Sequence, residues 1–370
     1  MKYYIIAGEA SGDLHGANLM KSLFKEDKNA EIRFWGGDLM QNSGGTIVKH
    51  YRELAFMGFA EVIMNLKTIL NNIKFCKIDI EKFNPDVIIF IDYPGFNMRI
   101  AKWAKKKGIK THYYIAPQIW AWKENRIAAI KNDFDKLFVI LPFEKEFFEV
   151  KHNFKVDFVG HPLIDAIHNK VYKNNSEFRT ENKLTNQPII AILPGSRKQE
   201  IAKMLSVMLS VVSDFKDYQF VIAGAPSQEF EFYRPFIKGE NVKFVANKTY
   251  DLLSNSVAAL VTSGTATLET ALFKVPEVVC YKGNWISYQI AKRIITLKYI
   301  SLVNLIMDEE VVTELIQNEC NSTRIKIELS KILTGANRKK ILEKYEVLET
   351  KLGGIGASQK VAKLIVKDLL

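Results

Sequence analysis

The 370-residue chain predicts an α/β fold built from two Rossmann-like halves. In the first half, short β-branched and apolar runs alternate with amphipathic segments, the pattern of a parallel sheet with crossover helices. The alternation pauses at Gly160-His161-Pro162 and the polar stretch HNKVYKNNSEFRTENKLTNQ, then restarts with a fresh series of strands. That pause divides the chain near residues 165 to 185 and argues against one very large sheet.

Taken in order, Tyr3 to Ala7 leads into a helix over Asp13 to Phe24, Val87 to Ile91 into Asn97 to Lys107, and Lys136 to Leu141 into Glu144 to His152. After the pause come strands at Ile189 to Leu193, Gln219 to Ala223, Val242 to Val245, Ala258 to Thr262 and Val278 to Tyr281. The expected domains are 1–170, 171–345 and a C-terminal helical segment, 346–370. Val361, Leu364, Ile365 and Leu369 form the apolar side of that last segment, which either returns to the first domain or packs on a partner subunit. Ligands of such sheets sit at the carboxyl ends of the strands, and two facing halves would form a cleft there.

An apolar fraction of 48% with 25% charged residues is that of a globular protein and excludes a disordered or fibrous chain. Strand-like Tyr3 to Ile6 follow Met1 with no basic leader, and no apolar run is long enough to span a bilayer. Cys76, Cys280 and Cys320 are isolated, which fits a reducing compartment and gives no metal-ligand spacing. These features predict a cytoplasmic protein. The net charge of +11 favours an anionic partner, whether nucleic acid, phosphorylated substrate or acidic membrane surface. Dispersed basic residues and the lack of a compact binding repeat point away from nucleic acid.

The first turn, Gly8-Glu9-Ala10-Ser11-Gly12-Asp13, lacks the G-x-G-x-x-G spacing of a dinucleotide site, and Glu9 and Asp13 would repel a pyrophosphate. It reads either as a polar floor for an acceptor, with Ser11, Asp13 or His15 holding hydroxyls, or as helix capping by Ser11 or Asp13. A second strand ends at Asp92, followed by Pro94-Gly95 and a helix starting at Asn97. A carboxylate at such a terminus can deprotonate a hydroxyl nucleophile. Asp86, before the strand, reads as a turn residue. In YYIAPQIWAWKENR, Trp120, Trp122, Lys123 and Arg126 suit sugar rings, acyl chains and phosphate, or else the tryptophans pack in the core.

The second half carries the sharper anion signals. Pro194-Gly195-Ser196-Arg197 brings backbone amides, a hydroxyl and a guanidinium together at a strand end. Ser263 to Thr267, comprising Ser263, Gly264, Thr265, Ala266 and Thr267, is a small-residue turn before a helix and suits a phosphate. Glu269, in the first turns of that helix, suits ribose hydroxyls or simple capping. Neither stretch has a G-x-x-x-x-G-K-[ST] motif, so the signal is nucleotide binding without phosphoryl transfer. One half holding a nucleotide diphosphate and another presenting a carboxylate to an acceptor describe a glycosyltransferase.

GEASGD (8–13), DYPGFN (92–97), APQIWAW (116–122), LPFE (141–144), VGHPL (159–163), LPGSR (193–197), TSGTATLE (262–269) and SLVNLI (301–306) together resemble the lipid-A-disaccharide synthase family, glycosyltransferase family 19, over nearly the full length. The resemblance implies a two-domain GT-B glycosyltransferase, peripherally associated with the inner membrane of a Gram-negative bacterium. The implied reaction joins UDP-2,3-diacylglucosamine to 2,3-diacylglucosamine 1-phosphate (lipid X), forming a β-1,6 bond with inversion and releasing UDP, with no cofactor or metal. It also implies a homodimer that exchanges C-terminal segments. Arg197 and the turn from Gly264 to Glu269 would bind UDP, with Ser196 and Thr265 as further phosphate donors. Ser11, Asp13 and Asp92 would lie on the acceptor and catalytic side, with Asn97 and Trp120 among the substrate contacts. Relatives often carry a second Asp where this chain has Gly95, so Asp92 is the expected base, with Glu9, Asp13 and Asp86 as rivals.

Acylated substrates require contact with a bilayer. In LAFMGFAEVIMNLKTILNNIKF, Phe59, Val62, Ile63, Leu66, Ile69, Leu70 and Ile73 form an apolar stripe beside Lys67, Lys74 and Lys77. The competing role is a core helix beneath the first sheet. A UDP-N-acetylglucosamine 2-epimerase or the peptidoglycan glucosaminyltransferase would share the nucleotide-binding half and differ on the acceptor side.

Overall fold

A computed structural model describes residues 1–54, 66–170, 172–226, 228–283 and 298–370. The chain forms two compact units, Met1–Asn169 with Leu352–Leu370, and Lys170–Lys351.

The first unit holds a seven-stranded sheet of β1 (Lys2–Ala7), β2 (Glu31–Gly36), β3 (Thr46–His50), β4 (Val87–Ile91), β5 (Lys110–Tyr114), β6 (Lys136–Val139) and β7 (Asp157–Phe158), in the order β3-β2-β1-β4-β5-β6-β7. The second holds β8 (Ile189–Leu193), β9 (Gln219–Gly224), β10 (Val242–Ala246), β11 (Ser256–Thr262), β12 (Glu277–Tyr281) and β13 (Glu314–Ile316), in the order β10-β9-β8-β11-β12-β13. Every neighbouring pair is parallel. Helices covering both faces explain why β4 (VIIFI) and β8 (IIAIL) are apolar at every position and buried along their length. Each sheet therefore has one switch point where the strand order reverses, β1 beside β4 and β8 beside β11.

Strands β2 and β3 escape the apolar-run criterion because both carry charges. Arg33 on β2 is held by Asp79, Nη2 to Oδ1 at 2.6 Å and Nε to Oδ2 at 2.8 Å. Asp79 also accepts from the Tyr4 hydroxyl at 2.8 Å, and the Trp35 indole donates to that same hydroxyl at 2.9 Å. This buried network ties the helix Leu66–Phe83 to the sheet, with Ile73, Cys76 and Ile80 facing inward. Leu70, Phe75 and Ile78 of the same helix are exposed. The expected stripe thus divides at Ile73, which belongs to the core. Phe59, Val62 and Ile63, and the side chain of Leu66, lie outside the described residues. Among the described residues no helix is long and apolar enough to cross a membrane.

From Leu352 the chain belongs to the first unit again, and its last helix, Ala357–Leu369, packs on α1 (Ala10–Glu26) through Val361, Ala362 and Ile365. Polar contacts clamp both ends. Asp165 accepts from the amides of Gly356 at 2.6 Å and Ser358 at 2.9 Å, supplying a negative charge where the helix dipole favours it. At the other end Asp368 meets His112 Nε2 at 3.0 Å and Lys110 at 3.2 Å.

Near the start of this helix, burial pushes the His15 imidazole down to about 4, partly opposed by Asp165, and burial with His15 pushes His161 down to about 3. Both rings are neutral when folded, while the unfolded chain takes up protons near pH 6.5. Below that value the unfolded state binds more protons, so stability falls with pH until the folded-state values are reached. The thermal midpoint should therefore drop as pH is lowered from about 6.5 towards 4. His161→Asn, which keeps an acceptor for the Leu163 amide that His161 Nδ1 now holds at 3.2 Å, should flatten that dependence. An undiminished acid sensitivity in this variant would exclude His161 as a source.

Candidate active site

In the first unit, β1 and β4 end side by side, and their loops carry Glu9 and Asp92. Asp92 and Tyr93 both adopt left-handed backbone, φ 45° and 51°, a conformation that disfavours side chains other than those of Gly, Asn and Asp. Two side chains hold the turn through the Asp92 carbonyl, which accepts from Tyr113 Oη at 2.8 Å and Asn97 Nδ2 at 2.6 Å. The Tyr93 ring lies over Gly8, where an added Cβ would meet it at 2.3 Å, so glycine there is required by close packing. Burial raises the Asp92 carboxyl above its ordinary value. Burial and then the charge of Asp92 raise Glu9.

The remaining first-unit candidates separate into surface and scaffold. Ser11 is exposed in the first turn of α1. Asp13 is 3% exposed and accepts from three backbone amides, Gly37 at 2.7 Å, Leu39 at 3.1 Å and Met40 at 3.0 Å. Its carboxylate is consumed in fixing the Asp38–Asn42 helix, which displaces the expected catalytic role. Asn97 is fully buried behind the turn, and its amide also donates to the Ile91 carbonyl at 3.3 Å, so the expected substrate contact gives way to a brace. Asp86 lies before β4, at the opposite end of the strand, and accepts from the Lys2 amide at 2.7 Å. Gly95 is exposed, with open space where a side chain would project. Trp120 is half-buried, edge-on to Phe143 at 4.7 Å, and donates through its indole to Glu144 Oε1 at 3.1 Å. Glu144 also accepts from the amides of Ile140 and Leu141, and its burial pushes it up to about 7 against those bonds. The side chain of Trp122 lies outside the described residues.

In the second unit, the ends of β8, β9 and β11 surround a cavity of about 350 Å³, lined by Pro194, Gly195, Ser196, Gly264, Thr265 and Glu269 among others. Gly264, at φ 136°, is the N-cap of the Thr265–Leu272 helix, and its C-terminal neighbours present the amides of that helix start. Thr265 is exposed and Ala266 half-buried. Thr267 is fully buried, its hydroxyl bonded to the Gly264 carbonyl at 2.8 Å, so it shapes the turn and its side chain does not reach a ligand. Ser263 donates to the Ile300 carbonyl at 2.8 Å, and Glu314 accepts from the amides of Ile300 and Ser301, both at 2.9 Å. Ile300, the residue before the SLVNLI motif, thus braces the turn. Ser196 and Arg197 are exposed at the start of the Lys198–Met208 helix. Glu269 accepts from Tyr250 Oη at 2.8 Å and is raised by burial, an effect Tyr250 opposes.

Comparison with known proteins decides the family. The lipid-A-disaccharide synthetase model matches residues 3–367. The chain belongs to this family. Lipid-A-disaccharide synthase of Coxiella burnetii (strain CbuG_Q212) is 37% identical over 98% of this chain and 96% of its own length. That of Syntrophus aciditrophicus (strain SB) is 37% identical over 97% and 95%. Among solved structures, UDP-GlcNAc 2-epimerase from Neisseria meningitidis bound to UDP-GlcNAc superposes with a TM-score of 0.71 at 15% identity, covering 99% of this chain and all of that one. At that identity the likeness speaks for the fold alone, a GT-B arrangement of two Rossmann-like domains.

In this synthase-family chain two groups that act through others lie outside the motifs, Tyr113 on the Asp92 turn and Tyr250 on Glu269, while Glu144, in LPFE, carries no sign of its bond to Trp120. Isolated aromatic or acidic residues inside elements give no spacing signal, since each partner lies on a distant segment. Asp13→Ala leaves three amides without their charged acceptor and should cost about 2–3 kcal/mol, seen as a lower thermal midpoint. Unchanged stability would return Asp13 to the catalytic candidates.

Proposed function

We propose that this chain joins UDP-2,3-diacylglucosamine to 2,3-diacylglucosamine 1-phosphate, making the β-1,6-linked disaccharide 1-phosphate with inversion and releasing UDP. The family match over residues 3–367 carries the coarser reading, a glycosyltransferase of lipid A biosynthesis. Opposite chemistry at the two switch points supports the finer one. The first unit presents carboxylates, Asp92 and Glu9, and the second presents a small-residue helix start whose cavity Ser196 also lines, while Arg197, the next residue, lines the neighbouring cavity beside Lys198 and Lys203.

In this mechanism Asp92 takes the proton from the acceptor's 6-hydroxyl, and the oxygen attacks the anomeric carbon from the face opposite the diphosphate. The bond to the leaving UDP breaks as the new bond forms, which inverts the centre. Negative charge grows on the diphosphate, where Arg197, Ser196 and the amides after Gly264 would stabilise it. Glu269, fixed by Tyr250, would accept from ribose hydroxyls. Ser11 and Trp120 would position the acceptor. With Gly95 supplying no carboxylate, Asp92 takes the role alone.

We further propose that the enzyme meets its substrates at the cytoplasmic face of the inner membrane. The exposed Leu70, Phe75 and Ile78, with Lys74 beside them, form an apolar and basic face suited to an anionic bilayer. In a homodimer formed by exchange of C-terminal segments, the Ala357–Leu369 helix would make its α1 contacts on a second copy.

The decisive assay is UDP release by purified protein in detergent with both acylated sugars, each alone, and UDP-N-acetylglucosamine as a non-acylated donor. Release and a disaccharide product only with both acylated sugars is the expected result. Turnover of the non-acylated donor alone would move the chain to another UDP-sugar reaction. Because Asp92 must be ionised to act and burial raises it, the acid limb of kcat/KM should lie above the ordinary aspartate value of about 4. A limb at or below that value would point to a different base.

A further inference from the structure

We infer that Tyr113 and Asn97 are positioning residues that hold the Asp92 carboxylate in its reactive orientation through the Asp92 main-chain carbonyl. The inference rests on the reading of Asp92 as the base and adds residues to which that reading assigns no part.

Three observations carry it. First, Asp92 and Tyr93 are consecutive residues with left-handed backbone at the end of β4. Tyr93 is a residue type this conformation disfavours, and such a turn persists only where the surroundings over-determine it. Second, two buried side chains from different elements converge on the one carbonyl. Tyr113 reaches it from β5, where it is paired with Phe90 in the ladder, and Asn97 from the Pro94–Lys106 helix. Both are 0% exposed, so neither can touch a substrate. Third, the turn is closed from the other side by the Tyr93 ring, packed against Gly8 and stacked on Phe96 at 5.6 Å. A hydrogen bond to a backbone carbonyl does nothing for the ionisation of the adjacent side chain directly. It fixes φ and ψ at Asp92, and with them the direction of the Cα–Cβ bond. Were the carbonyl released, the turn could relax towards right-handed backbone and swing the carboxylate away from the Glu9 side of the switch point.

Tyr113→Phe tests this with minimal disturbance, because the ring contacts with Phe134 at 4.8 Å and Phe90 at 6.1 Å are kept. The expected result is a fall in kcat of about 10- to 100-fold, the scale of an ångström-level misplacement. KM and UDP affinity should be unchanged, and the acid limb should move to lower pH as the carboxylate becomes better hydrated. Asn97→Ala should act in the same direction. Tyr114→Phe, which removes the neighbouring buried phenol not bonded to the turn, should leave kcat and the limb as in wild type. A folded Tyr113→Phe protein with wild-type kcat and pH profile would overturn the inference, as would a loss of kcat with the acid limb in place. Asp92→Asn separates the two claims. If it is inactive while Tyr113→Phe is normal, only the positioning role fails; if Asp92→Asn itself turns over at the wild-type rate, the base assignment fails.

Discussion

Both sheets set sequence-distant strands side by side, β1 against β4 and β8 against β11, and everything chemical in the molecule depends on that reversal of strand order. Loops leaving two such strands depart to opposite faces of the sheet, so the edge between them is left open. The open edge exposes backbone amides and whatever side chains the first loop residues carry. In the first unit those residues are Glu9 and Asp92, and in the second they are the Pro194–Arg197 and Ser263–Thr265 stretches. One topology thus yields a strand end that presents carboxylates and another that presents hydroxyls and the backbone amides of a helix start, according to a handful of residues at equivalent positions.

The energetic burden falls on the turns. At Tyr93 the backbone is held in a conformation the residue disfavours, and the turn is supported by hydrogen bonds and packing drawn from β5, from the following helix and from Gly8. At Gly264 the conformation suits glycine, and the support comes from Ser263, Thr267 and, indirectly, Glu314. Half-buried carboxyls gather around these places, and partial desolvation raises both Asp92 and Glu269. Such shifts cluster at functional sites.

Much of this was legible in the sequence. Fully buried strands such as VIIFI and IIAIL announce themselves, and glycine-rich strand ends mark the loops that follow. The polar strands β2 and β3 were not legible, because both carry charged residues, and the partner of Arg33 on β2, Asp79, lies far along the chain. The same reason explains the site residues that changed role. Asp13, Asn97 and Thr267 sit in the motifs and have the right chemistry, yet each is turned inward to satisfy backbone groups. A motif gives the residue type at a loop, whereas the direction of a side chain is settled by partners the motif does not contain. Arg197, Ser196, Ser11 and Thr265, by contrast, are exposed.

The proposed chemistry divides the labour, with the second unit holding UDP and the first supplying the base. Calorimetric titration of UDP into wild type, Arg197→Ala and Asp92→Asn tests it most directly, because it reads nucleotide binding without requiring turnover. Arg197→Ala should weaken UDP binding, while Asp92→Asn should bind UDP as wild type does and yet turn nothing over. Loss of UDP affinity in Asp92→Asn, or wild-type affinity in Arg197→Ala, would contradict it.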